Sequence, residues 1–261
     1  MTAAATALPS RSGIAAINPV AKIAAALVIA LTLAFSVDTV SAGLALALEA
    51  VLLPFAGLRW GAFWHRTAPV WFAAPLAGIA VLLYGRPSGR LYLDWWFVEI
   101  TDGSLHLAIA TMLRVLAIAL PAVALFATVD ATELADGLAQ IVRLPSRFVL
   151  GALAAFRLLG LMREDWRALA MARRARGAAD RGRLQRFGGL VFALFVLSIR
   201  RGSALATAME ARGFGGSTPR SWARRSRFGM REVLLILVAA LIAAAAVTTA
   251  VVTGQWVIGG R

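Results

Sequence analysis

Long apolar runs constrain this chain more than any other feature. Val233 to Val252 carries no charged residue. Four further runs resemble it: Val20–Val37, Ser41–Leu58, Ala68–Tyr84 and Leu105–Val129. Each is long enough to cross about 30 Å of hydrocarbon at about 1.5 Å rise per residue. The chain is 60% hydrophobic and only 15% charged, well below the quarter or so that is usual in soluble domains. The expected class is an all-α integral membrane protein. It has about five transmembrane helices plus a domain of long helices at the cytoplasmic face or membrane interface. Cysteine is absent, which excludes a disulfide scaffold and cysteine-based chemistry.

The basic charge is concentrated. Of 27 Lys and Arg residues, 19 lie between Arg143 and Arg231, against 4 acidic residues; the remainder is close to neutral. Lys and Arg gather on the cytoplasmic side of membrane proteins and attract anionic lipid. The expected organisation is a four-span membrane domain at 1–129, a basic cytoplasmic-side domain at 130–231, and a last span within 232–261. Residues 85–104 hold Asp94, Glu99 and Asp102 beside Trp95, Trp96 and Phe97. That composition reads as an external loop with interfacial aromatics. It places the N-terminus and the basic block in the cytoplasm. Nucleic-acid binding is not expected, because the block alternates with apolar helix and carries no recognition motif.

Two shorter apolar runs, Phe148–Met162 and Phe187–Ile199, lie inside the block. If both crossed the membrane, the arginines from Arg163 to Arg186 would sit outside, against the charge rule. They are therefore expected to stay on the cytoplasmic side. Asp130 with Glu133 reads as a capping box. Leu144-Pro145 ends that helix, and Ser146 is placed to cap the next. One helix is expected from Ser146 to Arg176, closed by Gly177. Another is expected from about Phe187 to Arg212, closed by Gly213. Gly151, Gly160 and Gly188-Gly189 offer close helix approach.

The tripeptide Ala-Arg-Gly occurs twice, at Ala175-Arg176-Gly177 and Ala211-Arg212-Gly213. One reading is purely local: arginine favours a helix C-terminus and glycine caps it. The other is functional. An arginine fork at a helix tip, backed by small neighbours, inserts into a partner's groove and pairs with carboxylate or carbonyl oxygens.

Wider context narrows this choice. Ala208-Met209-Glu210-Ala211-Arg212-Gly213-Phe214-Gly215 resembles a signature of the CbiQ-like family, the transmembrane T components of energy-coupling factor importers. Phe156-Arg157, Arg163-Glu164 and Ala172-Arg173-Arg174-Ala175-Arg176-Gly177 resemble the family's first such segment. Asn18-Pro19-Val20-Ala21-Lys22-Ile23 is similar to the start of its first span, and Thr128-Val129-Asp130, Glu133-Leu134 and Leu144-Pro145 also fit. The chain departs from the family in having Leu158-Leu159-Gly160-Leu161 where a proline is common, and Arg173 where glutamine is common.

The resemblance implies a non-catalytic scaffold in a prokaryotic inner or plasma membrane. It docks two ABC ATPases, identical or paired, and holds one substrate-binding S component for a vitamin or transition-metal ion. Arg176 and Arg212 become the coupling arginines, with Ala175, Gly177, Ala211 and Gly213 as their close-packing neighbours. Arg157, Glu164 and Glu210 are supporting residues. ATP and magnesium belong to the partner ATPases, and no cofactor is expected in this chain, which lacks a Walker A loop. The competing classes are an integral-membrane transferase, which would want paired cytoplasmic aspartates for magnesium, and a stand-alone permease, which would want repeats and broken helices.

Two charges fall within spans, Glu49 and Arg114. Each should have a partner or a wet surface, and their depths of roughly 13 Å and 10 Å from the outer ends suggest that they pair. His65 and His106 fall at opposite faces, and no metal site is expected from them or from Asp94, Glu99 and Asp102.

Overall fold

A computed structural model describes residues 13–36, 38–52, 60–85, 88–95, 98–177, 182–216 and 221–254. The N-terminal tail to residue 12, the expected end of span two at 53–58 with Arg59, and Trp96, Phe97, Asp180 and Pro219 lie outside the described residues.

The elements run α1 (Pro19–Ala34), α2 (Thr39–Leu52), α3 (Trp60–Tyr84), β1 (Leu91–Trp95), β2 (Val98–Thr101), α4 (Asp102–Phe126), α5 (Ala131–Gln140), α6 (Ser146–Ala175), α7 (Arg183–Ala211) and α8 (Met230–Val252). The chain divides into two compact units. One holds Met1–Leu134 with Ser226–Arg261, and the other Ala135–Arg225.

In the first unit α4 is central. α3 packs along it, α2 lies against both α4 and α8, and α1 lies against α8 and α4. The core here is rich in alanine: Ala25, Ala26, Ile29 and Leu33 of α1 meet Ala45 of α2, Ala117 and Leu125 of α4, and Ala239, Ile242 and Ala246 of α8. Small side chains let the backbones approach, which is how helices associate where lipid removes the hydrophobic drive. A second cluster joins Val70 and Ala74 of α3 to Leu116 and Leu120 of α4.

Helix lengths differ from the sequence expectation in two ways. α1 has 16 residues, short of the 20 or so that span hydrocarbon, while α2 is followed for 14 residues to Leu52, where the described residues stop. Conversely, α7 is long and apolar enough to cross a membrane over Phe187–Ala211, although its apolar run was expected to stay on one side. Its helix does not stop at Ile199 but continues through Arg200 and Arg201 to Ala211. Among the described residues, four helices are both long and apolar enough to cross a membrane: those in α3, α4, α7 and α8.

The segment read as a loop before α4 contains an antiparallel hairpin, with Leu93 opposite Ile100 and Trp95 opposite Val98. It leads straight into α4, where Thr101 and Ser104 cap reciprocally: Ser104 N–H donates to Thr101 Oγ1 at 3.2 Å, and Thr101 N–H to Ser104 Oγ at 2.9 Å. That box starts the helix at Asp102, one turn before the expected Leu105.

In the second unit α6 and α7 form an antiparallel pair. Arg201 of α7 makes a salt bridge to Asp165 of α6. Arg173 Nη2 donates to the Gly189 carbonyl at 2.7 Å, and Trp166 meets Phe187 edge to face with ring centroids 5.9 Å apart. Of the glycines expected to permit close approach, only Gly189 does so. A Cβ there would meet Arg173 Nη1 at 2.6 Å, whereas at Gly151, Gly160 and Gly188 it would meet nothing within 4 Å. α6 passes unbroken through Leu158–Leu161, as the missing proline allows.

Candidate functional site

Both expected helix tips form as the chain's local chemistry dictates. Asp130 Oδ1 accepts from the N–H groups of Thr132 and Glu133 and opens α5. α6 opens differently from expectation. Pro145 occupies the cap position with no side-chain hydrogen bond, and Ser146 is the first helical residue. Proline suits a helix start because its φ is preset and no N–H is wasted.

α6 ends at Ala175, with Arg176 as its C-cap. Gly177 follows at φ 68°, and its N–H donates to the Arg174 carbonyl at 3.1 Å. α7 ends at Ala211 in the same manner, with Arg212 as C-cap and Gly213 at φ 74°. Here Gly213 N–H donates to the Glu210 carbonyl at 2.9 Å and Phe214 N–H to the Met209 carbonyl at 2.9 Å. That pair of bonds is the Schellman closure, which needs a left-handed residue after the cap. A Cβ at Gly177 or Gly213 would meet open space, so φ alone demands glycine at these two positions. Arg176 and Arg212 are exposed.

The antiparallel register decides where the two tips lie. Arg173, near the end of α6, is level with Gly189, near the start of α7. Arg212 is therefore displaced by 23 residues from that level, about 35 Å along the helix axis. The two arginines sit at opposite ends of the pair and cannot serve one small site.

The supporting residues divide. Glu210 lies in the last turn of α7, where its carbonyl takes part in the closure. Arg157 is eight residues before Asp165 on α6, and Met209 is eight residues after Arg201 on α7. Arg157 thus lies in the first half of α6, away from that helix's own Arg176 tip. Glu164 is exposed in mid-helix and is gathered at neither end.

The expected Glu49–Arg114 pair does not form. Arg114 Nη2 donates to the Ala34 carbonyl at 2.7 Å, at the C-terminal end of α1. Glu49 is 3% exposed, and neither carboxylate oxygen has a hydrogen-bond partner. It lines a cavity of about 100 Å³ with apolar walls that include Ala25, Ile29, Pro121, Leu125 and Ile242. Helix stagger is the reason. α1 is short, and α4 begins well beyond its end, so Arg114 meets the α1 terminus. Glu49 meets α4 near Pro121, about 10 Å further along that helix. His65 and His106 are both exposed, and no three His, Asp or Glu groups converge among the described residues.

The model of the CbiQ family, described as cobalt transport protein, matches residues 10–222. The chain belongs to the CbiQ family. This T-component chain is also similar to proteins named energy-coupling factor transporter transmembrane protein EcfT. One, from Exiguobacterium sibiricum, is 30% identical over 65% of this chain and 69% of the relative. Another, from Limosilactobacillus fermentum, is 25% identical over 67% and 72%. A third, from Streptococcus equi subsp. equi, is 23% identical over 88% and 90%. The CbiQ-type chain is thus a membrane-embedded, non-catalytic subunit of the energy-coupling factor type.

Three arrangements escaped the sequence reading: the Arg173–Gly189 contact, the hairpin, and the roles of Asn18 and Lys22. Asn18 and Lys22 stand in a segment that resembles the family, but no local pattern names their partners.

Proposed function

We propose that this chain carries ATP-driven motion from two ABC ATPases to one small substrate-binding partner, for uptake of a vitamin or a transition-metal ion. The observation that carries this is the pair of arginine-tipped helix ends. They are closed by the same cap geometry and set at opposite ends of an antiparallel pair. A stiff helix about 45 Å long transmits displacement without bending. A guanidinium fixed at its tip can make paired hydrogen bonds to an acceptor in a groove. Two such tips facing away from each other suit two ATPases rather than one. The ATPases supply ATP and magnesium.

The same helices offer apolar surface. Phe156 and Leu159 of α6 and Phe192 and Phe195 of α7 are each more than half exposed. Exposed aromatic surface of this extent suits a membrane-embedded partner or lipid. The basic block and the N-terminus face the cytoplasm by the charge rule, in a prokaryotic inner or plasma membrane.

The test is capture of the ATPases, with ATP-driven accumulation of radiolabelled cobalt(II), nickel(II), riboflavin, biotin and thiamine, for wild type and for Arg176→Glu with Arg212→Glu. The expected result is a double variant that reaches the membrane at normal level but loses ATPase capture and accumulation. Full capture and accumulation with both charges reversed would overturn the proposal, leaving the Ala-Arg-Gly pair as helix caps only.

A further inference from the structure

The first turn of α1 holds two polar side chains four residues apart, hence on one face. Asn18 Oδ1 accepts from Val20 N–H at 3.0 Å and caps the helix. Its Nδ2 donates to Ser226 Oγ at 2.8 Å and to the Arg227 carbonyl at 3.0 Å. Its backbone N–H donates to Glu232 Oε1 at 3.1 Å, while Glu232 Oε2 accepts from Gly229 N–H at 2.9 Å. Lys22 is 1% exposed. Its Nζ donates to Thr128 Oγ1 at 2.9 Å and lies 3.4 Å from the Thr128 carbonyl, and Thr128 Oγ1 donates in turn to the Leu125 carbonyl.

These partners share one property. The chain leaves the membrane unit after Leu134 and returns to it at Ser226. Thr128 lies just before the exit, and Ser226 and Arg227 are the first residues after the return. One turn of α1 therefore grips both crossings of the chain. Helix capping would need only the Asn18–Val20 bond, and α8 needs only Glu232 for its own first turn. The bonds from Asn18 to Ser226 and Arg227 and from Lys22 to Thr128 serve neither purpose. A buried ammonium is costly unless fully hydrogen-bonded, and the bonds of this one run to the exit.

We propose that Asn18 and Lys22 are positioning residues for energy coupling. Together they form a fixed anchor that holds both crossings against the membrane unit while α6 and α7 move. This rests on the coupling function proposed above. With the anchor in place, displacement of the coupling helices passes to the substrate-binding partner. Without it, the same displacement is spent in shifting the ends of α4 and α8. The N-terminal family segment then has a role distinct from that of the Ala-Arg-Gly tips: the tips receive the motion, and the anchor keeps it from leaking.

The test uses the assembled complex with ATPases and substrate-binding partner. The chain has no cysteine, so Asn18→Cys with Ser226→Cys can be bridged by a short bifunctional thiol reagent without background from this chain. Unbridged, this double variant is expected to show the loss given below for Asn18→Ala, and bridging is expected to restore accumulation of the probes named above toward the wild-type rate, with a bridging yield indifferent to ATP. Separately, Asn18→Ala and Lys22→Ala are expected to keep ATPase capture and ATP hydrolysis but to lower accumulation per ATP about tenfold, within the usual range of coupling between sites. Lys22→Arg, which keeps the donor, is expected to recover most of that loss. The anchor is overturned if bridging leaves accumulation at the unbridged level or lowers it further, if ATP lowers the bridging yield, or if the alanine variants stay fully coupled. Should an alanine variant fail to reach the membrane, the bridging arm still decides. A wild type that captures no ATPase would instead sink the coupling function, and the anchor with it.

Discussion

Arg173 Nη2 of α6 lies 2.7 Å from the carbonyl oxygen of Gly189 on α7, and the space a Cβ would fill at Gly189 is taken by the same guanidinium. Glycine and arginine thus form one contact, although they lie in separate segments of the sequence. Two terms oppose each other in Gly189→Ala. Alanine is favoured over glycine in a helix by about 1 kcal/mol, whereas displacing the charged hydrogen bond costs about 1–2 kcal/mol at a partly exposed site. The variant is expected to change stability by less than about 1 kcal/mol in wild type but to stabilise an Arg173→Ala background by about 1 kcal/mol. Thermal unfolding of the four detergent-solubilised proteins checks this; additive changes would show that the contact carries no energy.

Glu49 reverses the usual expectation for removal of a charge. Both of its oxygens are buried without partners, so Glu49→Leu is expected to raise stability by about 1–3 kcal/mol. Arg114→Leu is expected to lower it by about 1–2 kcal/mol, because the end of α1 loses its donor. The double variant should be additive within about 0.5 kcal/mol. Strong non-additivity would mean that the two residues interact after all.

The helix tips call for a backbone test. Gly177→Ala and Gly213→Ala meet no steric neighbour, yet each forces a side chain into the left-handed region at a cost of about 1–2 kcal/mol. Both are expected to weaken ATPase capture without lowering the amount of protein in the membrane. Gly202→Ala, in the open interior of α7, should instead gain about 0.5–1 kcal/mol in thermal unfolding. Equal capture by all three variants would refute a role for the tip geometry.

Tyr92 of β1 reports on the hairpin. The Asp102 carboxylate beside its phenol holds the pKa above the ordinary phenol value. Because the folded value is the higher one, this contribution is present below the ordinary tyrosine pKa of about 10 and is lost as pH rises through the raised value. In a Tyr84→Phe background, ultraviolet titration should show Asp102→Asn lowering the Tyr92 midpoint. An unchanged midpoint would show that Asp102 does not govern the phenol.

Much of this molecule was legible before any coordinates. Apolar run length identified a helical membrane protein because the cost of unpaired backbone in lipid leaves few other options. The ends of α6 and α7 were readable at Arg176-Gly177 and Arg212-Gly213 because capping is decided within a few residues by φ preferences and carbonyl reach. What the sequence left open depends on how helices are staggered and rotated. Reciprocal capping by Thr101 and Ser104 moved the start of α4 to Asp102. Continuation through Arg200 and Arg201 brought α7 to spanning length. The partners of Arg114, Lys22 and Asn18 proved to be helix ends and chain crossings rather than opposite charges. Sequence by itself determined the class of the protein and the shape of its two tips, because those follow from local forces. Only the tertiary structure decided that the tips point apart, that Glu49 stands alone and that one turn of α1 holds both crossings. The packing of alanine-rich helix faces sets those relative positions, and no short stretch of chain records it.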